Sequence, residues 1–142
     1  MPKNSSLILL DTHIWIWLMS GVTKALSPQL RTLIEKHTPA QEIRVSAISV
    51  WEVALLVSKN KIEFFEGLEE WVYKGIHAPG ILSSNVTPEI ALKSGLLPSD
   101  FHGDPADRIL MATAIDLGAT LITADKEILS YAQKHNLPAM IL

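Results

Sequence analysis

Apolar residues cluster along this chain in short blocks whose spacing switches between two rhythms. LILL (Leu7 to Leu10) is a continuous apolar run that stops at Asp11, the pattern of a strand buried on both faces. HIWIWLM follows with no turn signal and is read as a short helix. Ser27-Pro28 then reads as a cap with proline at the first helical position, and Leu30, Leu33 and Ile34 form an apolar stripe running to His37. IRVSA is a second strand. Ser49 and Glu52 form the capping-box pattern S-V-W-E, and Val50, Val53, Ala54 and Val57 continue at helical spacing until Lys59-Asn60-Lys61. EFFEGLEEWVYKGIHA predicts a further helix, ILSSNV a third strand, and Thr87-Pro88-Glu89 a brief helix stopped by Gly95. After the loop LLPSDFHG, the spacing predicts a helix from Pro105 to Leu117 closed by Gly118. ATLIT is a fourth strand, Lys126 to His135 a last helix, and PAMIL a fifth strand.

Strands and helices alternate throughout, which predicts a three-layer α/β domain, Rossmann-like, with a mostly parallel sheet of four or five strands. The 142 residues suffice for one domain with a sizeable core, and no repeat, linker or low-complexity tract divides them. Hydrophobic residues make up 48% of the chain, and the mean hydropathy of +0.24 fits a doubly covered sheet or an apolar interface. With no cysteine, disulfides and thiolate chemistry are excluded, and five scattered histidines do not make a structural zinc site. A net charge of -3 exerts no general pull on nucleic acid. No apolar run approaches the roughly 18 residues of a membrane helix, and the opening segment reads as a strand, so a cytoplasmic protein with no membrane association is expected.

The acids change the picture. Asp11 follows the first strand and Asp125 the fourth, which puts both at the C-terminal edge of a parallel sheet, where such folds carry their sites. Glu52 lies in the first turn of the helix after the second strand, near the same edge. Asp107 opens the helix leading into the fourth strand; by spacing alone it belongs at either edge, depending on whether the loop before it climbs back. Taken singly, each acid has a local explanation: Asp11 and Asp125 as turn or cap residues, Glu52 as a capping-box acid, Asp104 as an N-cap with Pro105 at N1. Taken together, convergent carboxylates raise one another's pKa unless a cation neutralises them, and an all-oxygen set suits Mg²⁺ or Mn²⁺. Such an ion activates water and stabilises charge on phosphate. Lys59, Lys61, Arg108 and Lys126 are candidates for a phosphate-facing rim, or are solvated surface. Thr123 and Thr12 are placed to orient an acid, and Thr12 equally to cap a helix. His13 has no Ser or Cys nucleophile signal beside it, and His102 reads as a loop-shaping residue. The four tryptophans invite base stacking, but helical packing is the simpler fate for three of them.

The blocks LLLDTHIWIWL, VSAISVWEVAL, LPSDFHGDPADRILMATA and TLITAD, in this order, resemble the PIN domain and specifically the VapC toxins of bacterial toxin–antitoxin pairs. The resemblance covers essentially the whole chain, residues 1–142. It implies a metal-dependent endoribonuclease with Mg²⁺ or Mn²⁺ as cofactor and RNA as substrate, leaving 5′-phosphate and 3′-hydroxyl ends. It also implies a homodimer and a small antitoxin partner of the VapB type. Asp11 corresponds to the first family acid, Glu52 to the helical Glu of the W-E pair, Asp107 to the acid opening D-x-x-(I/L)-x-A-x-A, and Asp125 to the acid after the T-L-(V/I)-T strand. Asp104 corresponds to the additional Asp of the D-P-x-D branch, as ligand, indirect support or cap. The resemblance further implies that Asp107 reaches the cluster. Gly103 and Ala106 depart from the Arg and the aromatic that many relatives carry, which bears on substrate preference and not on the metal site. A DNA-directed or structure-specific nuclease is the nearest alternative; a non-catalytic scaffold would be expected to have lost some of these acids. A haloacid-type phosphatase would carry D-x-D where this chain has D-T-H, a receiver domain would show adjacent acids, and no G-x-G-x-x-G follows a strand.

Overall fold

A computed structural model describes residues 6–21, 26–101 and 104–140. In chain order the elements are β1 (Ile8–Leu10), α1 (Thr12–Met19), α2 (Pro28–His37), β2 (Ile43–Ser46), α3 (Ala47–Ser58), α4 (Leu68–Ile76), β3 (Ile81–Ser84), α5 (Pro88–Leu96), α6 (Pro105–Leu117), β4 (Thr120–Ile122), α7 (Lys126–His135) and β5 (Ala139–Met140). The five strands pair in the order β3-β2-β1-β4-β5, every pair parallel. Ile8 lies opposite Ile43 on one side and Thr120 on the other, so β1 is central.

All three residues of β1 are buried, which explains the unbroken apolar run. Successive side chains alternate between faces. Ile8 and Leu10 join Ile43, Val45 and Ile122 in a core with Ile14 and Trp15 of α1, Val53 of α3 and Trp71 of α4. Leu9 and Leu121 face the other way, against Leu110, Met111 and Ala114 of α6 and Ile128 and Ala132 of α7. The sheet is thus covered on both sides, giving the three layers expected from the sequence. Among the described residues no helix is long and apolar enough to cross a membrane.

Local capping sets most helix starts. Ser27 accepts from the Leu30 N–H, Thr87 from the Ile90 N–H, and each is followed by proline. Helix α6 spans Pro105–Leu117 and is closed by Gly118 at φ 66°, the left-handed conformation that glycine adopts without steric penalty. Four expectations need correction. Helix α3 begins at Ala47, not after Ser49: Ser46, the last residue of β2, accepts from the Ile48 N–H and caps it. Glu52 therefore stands in the second turn, outside any capping box. The segment from Glu63 is not helical until Leu68, because Gly67 at φ 88° breaks it. Gly95 does not stop α5, which runs on to Leu96. The strands β1 to β4 are also shorter than the runs that signal them, β3 covering only Ile81–Ser84 of ILSSNV. His102 and Gly103 lie outside the described residues.

From β1 the chain winds outward through β2 and β3, then crosses back to place β4 on the other side of β1 and β5 beyond it. The winding reverses between β1 and β4. Such a switch point opens a crevice at the C-terminal ends of the two strands.

Candidate active site

Asp11 leaves the end of β1 in that crevice. Its N–H donates to the Ile122 carbonyl of β4 at 2.9 Å, so the main chain is tied across the switch point. Both carboxylate oxygens are held. The Thr12 N–H donates to Oδ1 at 2.7 Å, making Asp11 the N-cap of α1, and the Thr123 hydroxyl donates to Oδ2 at 2.6 Å. Burial raises the Asp11 pKa; the bonds from Thr123 and Thr12 and the nearby His13 oppose that rise, and Asp125 adds to it.

Glu52 reaches the crevice from α3. Its Oε1 accepts from the Thr12 hydroxyl, and the same Thr12 oxygen lies 2.8 Å from Ser49 Oγ. A hydroxyl has one proton. With Thr12 donating to Glu52, Ser49 donates to Thr12, giving a directed chain from Ser49 through Thr12 to Glu52. Thr12 and Ser49 are both buried. Ser49, read from the sequence as a cap, instead supports the site. Its fate depends on α1, which is distant in sequence. Burial raises the Glu52 pKa first; Thr12 counters it, and Asp11 and Asp104 raise it further.

Asp107 sits in the first turn of α6 and is buried. Helix α6 returns the chain to the N-terminal end of β4, so its own start lies at the opposite, C-terminal edge of the sheet, beside Asp11. The ambiguity left by spacing resolves on this geometry. The Asp107 pKa is pushed up to about 8, first by burial and then by the charges of Asp104, Asp11, Glu52 and Asp125. Asp104 is exposed and caps α6 through the Ala106 N–H at 2.9 Å; half-buried Asp125 caps α7 through the Glu127 N–H at 2.8 Å. The local readings of these two acids hold in the structure, and the same acids also face the crevice. All five line one cavity of about 330 Å³.

The oxygen-only donors and mutual repulsion fit a hard divalent cation. Among the described residues, however, no three acids or histidines are arranged to hold an ion as a closed set. Ions such as Mg²⁺ commonly keep several waters and take only one or two carboxylates directly.

The cationic rim differs from expectation. Arg108 does not face the cavity. Its Nε donates to the Ser94 carbonyl at 3.0 Å, its Nη2 to the Leu97 carbonyl at 3.1 Å, and its guanidinium lies 5.7 Å from the centre of the Phe101 ring. It ties α6 to the last turn of α5 and to the segment that follows it. Tyr131 helps by donating to the Pro98 carbonyl, and Asp100 accepts from Lys134 at 2.7 Å with His135 at 2.9 Å, which draws the Asp100 pKa down to about 2. Lys59 and Lys61 follow the C-terminus of α3, some 10 Å along the axis from Glu52 at 1.5 Å per residue and toward the opposite sheet edge. Lys126 stays at the exposed start of α7, next to Asp125. Of the tryptophans, Trp15 and Trp71 are buried, Trp17 lines the cavity and Trp51 is 54% exposed.

The model of the PIN domain matches residues 8–134. Ribonuclease VapC22 of Mycobacterium tuberculosis is 34% identical over 134 residues, spanning 94% of this chain and 97% of that protein. Among solved structures, VapBC2 from Rickettsia felis bound to a promoter DNA fragment aligns over 95% of this chain and 98% of its own, with TM-score 0.71 and 16% identity. DNA-bound VapBC from Salmonella typhimurium gives TM-score 0.67 and 14% identity over 95% and 97%. A toxin–antitoxin complex from Klebsiella pneumoniae gives 0.60 and 21% over 87% and 90%. At these identities the structures support the fold, while the family-model match and the VapC22 likeness reach from β1 to the last helix: the chain belongs to the PIN domain family, and within it to the VapC group.

Proposed function

We propose that residues 1–142 act as one PIN domain, a cytoplasmic endoribonuclease that needs Mg²⁺ or Mn²⁺ and is the toxin of a toxin–antitoxin pair. The observation that carries this reading is the convergence of five carboxylates, from four separate segments, on one cavity at the sheet's switch point. Burial first, and then the charges of the neighbouring acids, push the Asp107 pKa up, and a bound cation would offset both. Asp11, Glu52, Asp107 and Asp125 would hold the ion, directly or through water, with Asp104 beside them. When bound, it supplies an activated water and positive charge against the phosphate oxygens.

The chain's own residues prepare that chemistry. Thr12 N–H and the Thr123 hydroxyl fix both oxygens of Asp11, so its orientation does not depend on substrate. The Ser49–Thr12 chain holds one oxygen of Glu52 and leaves the other to the cavity. Asp107 retains a proton near neutrality while its neighbours are uncompensated and gives it up when they are compensated. Hydrolysis adds water across the phosphodiester, breaking the bond to the 3′ oxygen and leaving a 3′-hydroxyl and a 5′-phosphate. Leu92 and Leu96 of α5, 65% and 74% exposed, offer apolar surface for a second copy or an antitoxin.

The test is mapped cleavage of a mixed tRNA, rRNA and mRNA pool by purified protein with Mn²⁺, with Mg²⁺ and with EDTA, beside Asp11→Asn. Defined cuts that require the divalent ion and vanish in Asp11→Asn are expected. Equal cleavage by both proteins, or cleavage of DNA alone, overturns the reading.

A further inference from the structure

One wall of the acid-lined cavity is not made of carboxylates. Trp17 and His13 both line it, one turn apart on α1, their ring centroids 6.1 Å apart and their planes inclined by 55°. Trp17 is half-buried: part of its indole packs on the apolar cluster beneath α1, and part opens onto the cavity. His13 is exposed and lies within electrostatic reach of both Asp11 and Glu52. Trp15, two residues earlier in α1, projects from nearly the opposite side of the helix. Trp15 is fully buried, meets Trp71 edge-on at 4.8 Å, and donates its indole N–H to the Gly75 carbonyl. Trp15 fills the core; Trp17 leaves aromatic surface beside an anionic hole.

A flat apolar face next to a cation-demanding acid cluster matches the two halves of a nucleotide, base and phosphate. The face is available only to a base that has left its own stack. At about 330 Å³ the cavity is at the small end for ligand sites, which suits one nucleotide and not a duplex. We propose that Trp17, with His13 beside it, is a stacking platform for one unpaired base of the RNA strand whose phosphate meets the acids. The proposal rests on the nuclease reading above and adds to it a base-binding residue.

The experiment compares wild type, Trp17→Leu, Trp17→Phe and His13→Ala on two RNAs of the same sequence, one single-stranded and one fully paired. It reads kcat and KM separately, with circular dichroism to establish folding and Mn²⁺ titration to follow metal affinity. Wild type should prefer the single strand. Trp17→Leu should raise KM on it about tenfold, the scale of one lost base–aromatic stack, with Mn²⁺ affinity unchanged. Trp17→Phe should recover most of the loss, and His13→Ala should show a smaller rise in KM. If Trp17→Leu does not fold, quenching of tryptophan fluorescence by a single-stranded oligonucleotide decides the matter: present in wild type, weaker in Trp17→Phe. A folded Trp17→Leu with unchanged KM, a preference for paired RNA, or equal quenching in wild type and Trp17→Phe overturns the platform. A protein that cuts no RNA yet shows the quench loses the nuclease reading alone.

Discussion

Asp107→Asn should stabilise this protein in the absence of divalent ions, and more so as pH rises. In the folded chain the Asp107 pKa is pushed from 3.8 up to about 8. Between those values the unfolded chain has lost the proton and the folded chain keeps it. Stability contributed by this group is therefore fully present below the unfolded pKa and is lost as pH climbs through the folded one. At 1.36 kcal/mol per unit, the roughly three units between the unfolded pKa and neutrality set a ceiling of ~4 kcal/mol at pH 7. The carboxyl lines a cavity open to solvent, and solvent screening brings the expected effect down to about 1–2 kcal/mol. For a chain of this length that is a few degrees in Tm. The assay is thermal unfolding of wild type and Asp107→Asn in EDTA, at about pH 5 and about pH 8. The difference at the lower pH absorbs the cost of swapping the group itself, and the change in that difference reads the charge. The variant should gain on wild type at the higher pH, and added Mg²⁺ should raise the Tm of wild type more than that of the variant. A difference that does not move with pH, or equal stabilisation of both proteins by Mg²⁺, refutes the argument that the clustered acids strain the ion-free fold.

Thr12→Val keeps the shape of a buried side chain but removes the hydroxyl joining Ser49 to Glu52. Urea unfolding should show a loss of about 1–3 kcal/mol, with Thr12→Ser close to wild type. Arg108→Met keeps apolar contact with Phe101 but leaves the Ser94 and Leu97 carbonyls without their donor. A loss of about 1–3 kcal/mol is expected, together with faster amide exchange in the segment from Leu97 to Phe101; unchanged exchange there would argue against the tie. Gly75→Ala places a methyl 2.7 Å from Trp15 Cζ2, so overpacking should cost about 1–3 kcal/mol and alter the near-ultraviolet signal of the buried indole.

The legible parts of the sequence were those governed by neighbours along the chain. Ser27-Pro28, Thr87-Pro88, Asp104-Pro105 with Gly118, and Asp125 each mark a helix end because a cap satisfies N–H or C=O groups two to four residues away. The run Leu7 to Leu10 announced a central strand because a sheet covered on both faces needs no polar alternation. Asp11 and Asp125, at strand ends, pointed to one edge by the same logic. Ser46 and Ser49 show where local reasoning fails: both are competent caps, and the choice between them came from β2 pairing as far as Ser46 and from Thr12 engaging Ser49. The fate of Arg108, suited by type to phosphate, was decided by two carbonyls and a ring in the preceding segment.

The chain's order of apolar and capping residues was enough to determine its elements, its α/β class and which acids end strands, because those properties depend on interactions a few residues long. Only the tertiary structure decided the strand order β3-β2-β1-β4-β5, the meeting of Asp107 with Asp11, the Ser49–Thr12–Glu52 chain and the exposure of Trp17 in the same cavity. Those depend on contacts between segments tens of residues apart, which packing against a shared sheet selects and local pattern does not encode.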